Sequence, residues 1–261
     1  MKIGFIGLGN MGSALAKSLV KLGRHDLLLS IHNQEKASLL QAEIGGQLAS
    51  NAEIASQAQV IFLGVKPHLL GQVLTDLKEE IAKNPAAVWI SMAAGVSLSD
   101  LQEYLPADCL VRIMPNTPVA IGQGMTTYSV ENPDLAPLVE KLLSASGKVE
   151  QVPEDKIDAA TAIAGCGPAF AYVFIDALVQ AGIQNGLSAD LSKELAAQTL
   201  LGSAQLVLES EQHTAQLRDQ VTSPGGSTIA GLVAMEEHNF RYATIAAVNQ
   251  ALAKTRELGK K

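Results

Sequence analysis

The chain opens with Lys2-Ile3-Gly4-Phe5-Ile6, which has the length and apolar character of a buried strand, and runs without a spacer into Gly7-Leu8-Gly9-Asn10-Met11-Gly12. An amphipathic segment follows through Leu22. Strand, glycine turn and helix in that order restrict the fold sharply. The first glycine permits a tight turn, the second lets a pyrophosphate approach the backbone, and the third lets the helix pack on the strand. Standing at the first strand, with a second strand expected at Asp26 to Ile31, the turn favours dinucleotide binding over an ordinary loop. Gly7, Gly9, Asn10, Met11 and Gly12 are therefore candidate cofactor contacts.

The end of the second strand should distinguish the two nicotinamide cofactors. An acidic residue there would accept hydrogen bonds from a ribose hydroxyl and repel a phosphate. Ser30, His32 and Asn33 stand there instead, with Lys36 one helical turn on, and together they point to NADPH while leaving NADH admissible. Asn33 alone reads equally well as a helix cap. Ser50-Asn51 precedes a short helix through Gln57, and Val60 to Val65 is the next apolar strand. Lys66 then sits at the carboxyl edge of the sheet, where ligands bind in such folds, and Pro67 suits the first turn of a helix to about Ile81. Asn51 and Val65-Lys66-Pro67 join the candidate cofactor residues.

Further strands are expected at Ala87 to Met92 and Cys109 to Met114, with a short helix from Ser99. The second of these strands ends in Pro115-Asn116-Thr117-Pro118, whose two prolines stiffen a loop suited to wall a nicotinamide pocket, with Asn116 as a cofactor contact. Gly124 to Val130 and Lys148 to Val152, around a helix near Pro133 to Ser146, complete a doubly wound α/β domain assigned to residues 1–151.

Beyond Val152 the strand-like runs cease, and apolar residues take helical spacing, as in Phe170, Val173, Phe174, Ala177, Leu178 and Ala181. Residues 152–261 are expected to form an all-α domain, with long helices at Ala189 to Glu209 and Asn239 to Glu257. Their Ala- and Leu-rich faces exceed the needs of so small a domain, which points to subunit contacts. The uncharged stretch between Asp158 and Asp176 is broken by Gly165-Cys166-Gly167-Pro168 and reads as core or subunit interface rather than a membrane span. The active site is expected in the cleft between the domains.

A net charge of −7 without Lys/Arg clusters argues against nucleic-acid and anionic-membrane partners and favours a small solute. Two cysteines, no CxxC pair and five histidines fit a reducing, cytoplasmic setting and no metal site.

Near the C-terminus, Val221-Thr222-Ser223-Pro224-Gly225-Gly226-Ser227-Thr228 reads as a turn opening a helix, with free amides suited to an anion or simply an ordinary capped turn. This block closely resembles the signature of pyrroline-5-carboxylate reductases. The pattern of that family is also visible in Gly7 to Gly12, in Val65-Lys66-Pro67, in Arg112-Ile113-Met114-Pro115-Asn116-Thr117-Pro118 and in Gly165-Cys166-Gly167-Pro168-Ala169-Phe170, in the same order along the whole chain. The resemblance implies reduction of L-1-pyrroline-5-carboxylate to L-proline by NAD(P)H, the last step of proline synthesis. It also implies homodimers interlocked through the helical domain, with a pocket at the dimer interface and often assembly into rings of dimers. Two positions depart from the pattern: Cys166 stands where serine is usual, and Phe170 where tyrosine is common.

An imine accepts hydride without giving up a hydroxyl proton, so no lysine or histidine base is required, and Phe170 to Gly186 contains neither. The substrate carboxylate suits the amides of Gly226, Ser227 and Thr228 and the hydroxyl of Ser223. Thr228, expected to be catalytic, would present its hydroxyl to the ring nitrogen. The alternatives are a related reductase of another cyclic imine, a 3-hydroxyacid dehydrogenase-like enzyme, or a non-catalytic NADP-binding regulatory module.

Overall fold

The computed structural model describes residues 1–23, 26–31 and 33–258, so His32 lies outside the described residues. The chain divides into two compact units, Met1–Cys166 with Gln250–Lys261, and Gly167–Asn249. The first unit begins with β1 (Lys2–Ile6), α1 (Asn10–Lys21), β2 (Asp26–Ser30), α2 (Gln34–Ile44), β3 (Gln47–Leu48), α3 (Asn51–Gln57) and β4 (Val60–Leu63). It continues through α4 (Pro67–Asp76), α5 (Lys78–Lys83), β5 (Val88–Ser91), α6 (Leu98–Gln102), β6 (Leu110–Pro115) and β7 (Gly124–Val130). Then come α7 (Ala136–Leu143), β8 (Gly147–Gln151) and α8 (Glu154–Ala164).

The strands form one sheet in the order β3-β2-β1-β4-β5-β6-β7-β8. Chain order reverses beside β1, which pairs in parallel with both β2 and β4. This is the doubly wound arrangement anticipated from the sequence. Helices cover both faces, which is why β4 and β5 are buried at every position. One face joins Phe5, Phe62, Ile90 and Ile113 to Leu15 and Leu19 of α1 and Leu142 and Leu143 of α7. The other joins Ile6, Ile61, Leu63 and Trp89 to Ile54, Leu70, Leu74 and Leu101. Phe5 and Phe62 are register partners, and their rings stack at 4.7 Å. Each fully buried Leu, Ile or Phe contributes about 1.5–3 kcal/mol relative to exposure, so these layers dominate the stability of the unit.

Two local differences from the sequence reading, and the direction of one strand, have physical reasons. Leu77 leaves helical geometry at φ −100°, ψ 8°, splitting the expected Pro67–Ile81 helix into α4 and α5 while Leu77 and Ile81 both stay buried. Pro137 fits only a first helical turn, so α7 starts at Ala136 rather than Pro133, behind a 3₁₀ turn. β7 runs antiparallel to β6 because a single 3₁₀ turn, Thr117–Ile121, joins them and is too short for a crossover.

The compact unit extends past Gln151, where the composition changes, and takes in α8. Ile157 and Ala162 of α8 are fully buried, and an electrostatic tie adds to this apolar contact. Arg112 of β6, 3% exposed, donates to Glu154 Oε1 at 3.0 Å and Asp158 Oδ1 at 2.6 Å, and Glu154 also accepts the Leu98 amide. A buried guanidinium needs these carboxylates, and both lie on α8.

The second unit comprises α9 (Gly167–Gln184), α10 (Ala189–Glu209), α11 (Thr214–Gln220), α12 (Ser227–Glu237) and α13 (Phe240–Leu258), whose residues from Gln250 onward group with the first unit. α9 and α10 approach so closely that a Cβ at Gly182 would collide with Ser192 Oγ. Phe174 of α9 meets Phe240 of α13 with ring centroids 5.5 Å apart. No residue of α9 is buried within the chain, and Tyr172 and Val173 are 60% and 72% exposed. The uncharged stretch thus divides: its α8 part is core, with Ala162 fully buried, while from Gly167 on it is not core of its own chain, and there an intermolecular interface is the reading left open.

Replacing Arg112 by Met should lower the unfolding free energy by about 2–3 kcal/mol, less than the loss for a fully buried pair because the Glu154 and Asp158 side chains keep 31% and 26% exposure. Urea unfolding checks this. A midpoint unchanged from wild type would show that α8 is held by apolar contacts alone.

Candidate functional site

Each unit carries one helix with a glycine N-cap and no side-chain cap, and part of the candidate set, Gly7 to Gly12 and Ser223 to Thr228, gathers at these two starts. In the first unit β1 delivers the chain to Gly7, whose φ of +85° excludes side chains; a Cβ there would also lie 2.9 Å from the Gly64 and Val65 backbone. The Gly7 amide bonds the Ser30 carbonyl at 3.3 Å. Gly9 differs. Its φ of −77° suits any residue, and a Cβ would meet nothing within 4 Å among the described residues. Nothing inside the chain demands a glycine at position 9, so the empty space beside it is the feature to explain. Gly12 is buried, and its Cβ would stand 3.1 Å from the Gly7 carbonyl, so helix and turn touch there.

Gly9 is the N-cap of α1, and Ser13 N bonds Gly9 O at 2.9 Å. The amides of Asn10, Met11 and Gly12 are thus the ones that helix geometry leaves without an internal partner. Beside this turn opens a cleft of about 1100 Å³ lined by Ile6, Gly7, Ser30, Asn51, Val65 and Leu69, among others. Ser30 Oγ donates to Asn51 Oδ1 at 2.6 Å, which leaves the Asn51 amide nitrogen with no hydrogen bond within the described residues. Ser50 caps α3 through a reciprocal box with Glu53, whose carboxyl is held below its usual range by the Ser50 backbone and hydroxyl. Asn33 caps α2 by accepting the Lys36 amide at 3.0 Å, the plainer of its two anticipated roles. Val65 is half-buried, Lys66 is exposed at the N-cap of α4, and Pro67 occupies the first helical position.

Asn116 does not fit the role expected of it. It is only 8% exposed, and its carboxamide is engaged at both ends, with Met125 N donating to Oδ1 at 2.8 Å and Nδ2 donating to Ala164 O at 2.9 Å. The sequence placed it correctly at the carboxyl end of β6. It gave no sign that β7 and α8 would claim the side chain.

In the second unit α12 begins at Ser227 with Gly226 as N-cap, φ −80° and ψ 175°, and no side-chain cap. Gly225 has φ +67° and is required by the turn, while a Cβ at Gly226 would strike Ser223 Oγ and displace that hydroxyl from its present rotamer. Gly226 N bonds Ser223 O at 3.1 Å, closing it. The amides of Ser227, Thr228 and Ile229 then stand free at an eleven-residue helix's positive end. Ser223, Ser227 and Thr228 are exposed, and their hydroxyls make no hydrogen bond within the described residues. Such a start can hold an anion and present hydroxyl donors beside it. No cluster of three or more His, Cys, Asp or Glu suited to a metal occurs among the described residues.

A largely parallel sheet with a glycine turn after its first strand, followed by an all-helical unit, is the architecture of Rossmann-type nucleotide-dependent oxidoreductases. Residues 2–95 match the family described as NADP oxidoreductase, coenzyme F420-dependent, and residues 154–258 match that of pyrroline-5-carboxylate reductase dimerisation. The pyrroline-5-carboxylate reductase of Synechocystis sp. is 38% identical, with 100% of this chain and 99% of that protein covered. Human pyrroline-5-carboxylate reductase 2 is also 38% identical, covering 99% of this chain and 84% of the relative. The crystal structure of Plasmodium falciparum pyrroline carboxylate reductase with NADP bound superposes with a TM-score of 0.89 at 35% identity, covering 99% of this chain and 98% of that one. The chain belongs to the pyrroline-5-carboxylate reductase family.

Gly9→Ala should leave thermal stability near wild type yet weaken NADPH binding at least tenfold, about 1.4 kcal/mol. Gly7→Ala should instead lower stability, because its φ and its backbone neighbours forbid a Cβ. Thermal melts and NADPH titrations of the two variants separate these outcomes; full NADPH affinity in Gly9→Ala would remove the turn from the nucleotide site.

Proposed function

We propose that this protein reduces L-1-pyrroline-5-carboxylate to L-proline with NADPH, NADH being a weaker donor. Full-length kinship with enzymes of that name supports the reaction, and the open, uncapped N-terminus of α12 supports the mode of binding. In this reading residues 1–151 carry the nucleotide-binding fold, and the helical residues 152–261 serve substrate binding and dimerisation.

Bound NADPH supplies the hydride. The uncapped amides of Asn10, Met11 and Gly12, with Gly9 leaving space for approach, receive its pyrophosphate. Ser30, Asn51 and Val65 line the cleft on its adenosine side, while Asn33, Lys66 and Pro67 stand close to lining residues in sequence but are not part of the lining themselves.

The substrate carboxylate sits on the free amides of Ser227 and Thr228, with Ser223 Oγ beside it; the Gly226 amide, expected among these donors, is instead taken by the Ser223 carbonyl. A charge there gains about 0.3–1 kcal/mol when exposed and up to about 2 kcal/mol when partly buried. That energy fixes orientation more than affinity. Thr228 Oγ1 hydrogen-bonds the ring nitrogen, steadying the protonated imine as C5 takes the hydride and the nitrogen becomes an amine. The balance is one imine, one hydride and one proton giving one amine, so no side chain has to remove a hydroxyl proton. α9, which carries no lysine or histidine, is consistent with this.

The working unit is a homodimer through the helical unit, itself open to assembly into a ring of dimers. Supporting this are the match of residues 154–258 to a dimerisation family and the exposed apolar residues Tyr172, Val173, Leu206 and Leu208. The stretch Glu154–Gln184 is long and apolar enough by composition to cross a membrane, but an exposed α9 face of this kind also suits a second copy of the chain.

NADPH oxidation followed at 340 nm with pyrroline-5-carboxylate, and with the six-membered cyclic imine as comparison, tests the reaction. Turnover with the five-membered ring supports it, and turnover with the six-membered ring alone would reassign the substrate. Thr228→Ala should lower kcat about 100-fold with NADPH affinity unchanged. Wild-type kcat in that variant would remove Thr228 from the chemistry.

A further inference from the structure

The Asn116 carboxamide joins three segments of the first unit. Asn116 is the N-cap of the 3₁₀ turn Thr117–Ile121, accepts the amide of Met125 in β7, and donates to the carbonyl of Ala164, the last residue of α8. That carbonyl is one of the four that a helix end leaves without an internal partner. Arg112 lies four residues earlier, on β6, and Asn116, the residue just past that strand, keeps extended geometry at φ −117° and ψ 168°, so the two share a face; Arg112 holds Glu154 and Asp158 in the first half of α8. β6 and the residue that follows it therefore grip α8 at both ends, by an ion pair at one and by an amide at the other. The 3₁₀ turn in turn seats Val119, 1% exposed, in the same core cluster as Leu15 and Leu19 of α1.

From this geometry we propose that Asn116 is a positioning residue for hydride transfer and not a nucleotide ligand: by tying β7 and the end of α8 to β6, it fixes the loop Pro115 to Pro118 at the carboxyl edge of the sheet. The role rests on the reductase reaction proposed above. The chemistry of the side chain is specific. A carboxamide both accepts and donates, as Met125 N–H and Ala164 C=O require. An aspartate of the same shape keeps the acceptor but turns an oxygen toward the Ala164 carbonyl. The nucleotide's affinity resides in its phosphates and adenosine at the other features of the cleft, so loosening this loop leaves binding intact. A nicotinamide displaced by even 1 Å, by contrast, costs about 100-fold in rate.

The test compares N116D and N116A with wild type in the full-length protein, measuring NADPH affinity by fluorescence titration, kcat with pyrroline-5-carboxylate at saturating NADPH, and exchange of the Met125 amide by NMR. Titrated NADPH sites count the folded protein in each sample. N116D should keep Met125 protected and NADPH affinity unchanged while kcat falls about 10- to 100-fold. N116A should lose kcat similarly and lose Met125 protection as well. Weakened NADPH binding with kcat unchanged in N116D would make Asn116 a ligand and overturn the proposal, as would wild-type kcat in N116D while wild type itself turns over. Absence of wild-type turnover with this substrate would overturn the reaction reading, and this role with it.

Discussion

The first three amides of a helix have no partner inside it, and in this protein much depends on which helices satisfy those amides internally. Side chains cap α2, α3, α6, α10 and α11 through Asn33, Ser50, Ser97, Ser188 and His213. α1 and α12 have no side-chain cap, as is also true of α4, α5, α7 and α8, but they alone of these six have a glycine N-cap, Gly9 and Gly226, with no side chain to crowd the open amides. A glycine N-cap gives up only about a few tenths of a kcal/mol against serine. That small loss leaves two sets of amides free for anions from outside the chain, and the proposed reaction brings two anions, the cofactor pyrophosphate and the substrate carboxylate.

Free amides are useful only on a rigid frame. In the first unit the frame is a sheet buried on both faces, with β1 between β2 and β4, so the Gly7 turn leaves from the middle of the sheet. Polar contacts then fix what apolar layers leave free to slide. Arg112 with Glu154 and Asp158, Asn116 with Ala164 and Met125, and Ser30 with Asn51 each join segments distant in sequence near the carboxyl edge. Such contacts are costly to leave half-made in a buried setting, which is what makes them specific.

The legible parts of the sequence were those governed by local rules. The glycine turn, the apolar strands, the change to helical spacing and the Ala189–Glu209 helix follow from short-range sterics and periodicity, and the structure places them accordingly. Less legible were features set by distant partners. Nothing near Asn116 announces the Ala164 carbonyl, 48 positions away, and nothing near Arg112 announces Glu154 and Asp158. For the same reason composition marks a change near Gln151 while the compact unit runs on to Cys166. In the Ser-Pro-Gly-Gly block the residues foretell the turn and the open helix start. Only resemblance to a family foretells what binds there.

The central claim, that the open start of α12 holds the substrate carboxylate while that of α1 holds the cofactor, is tested most directly by amide hydrogen exchange in the presence of each ligand. Saturating NADP⁺ should slow exchange at Asn10, Met11 and Gly12, and L-proline added to that complex should slow it at Ser227, Thr228 and Ile229. Proline that binds and leaves the α12 amides exchanging as fast as before would contradict the account.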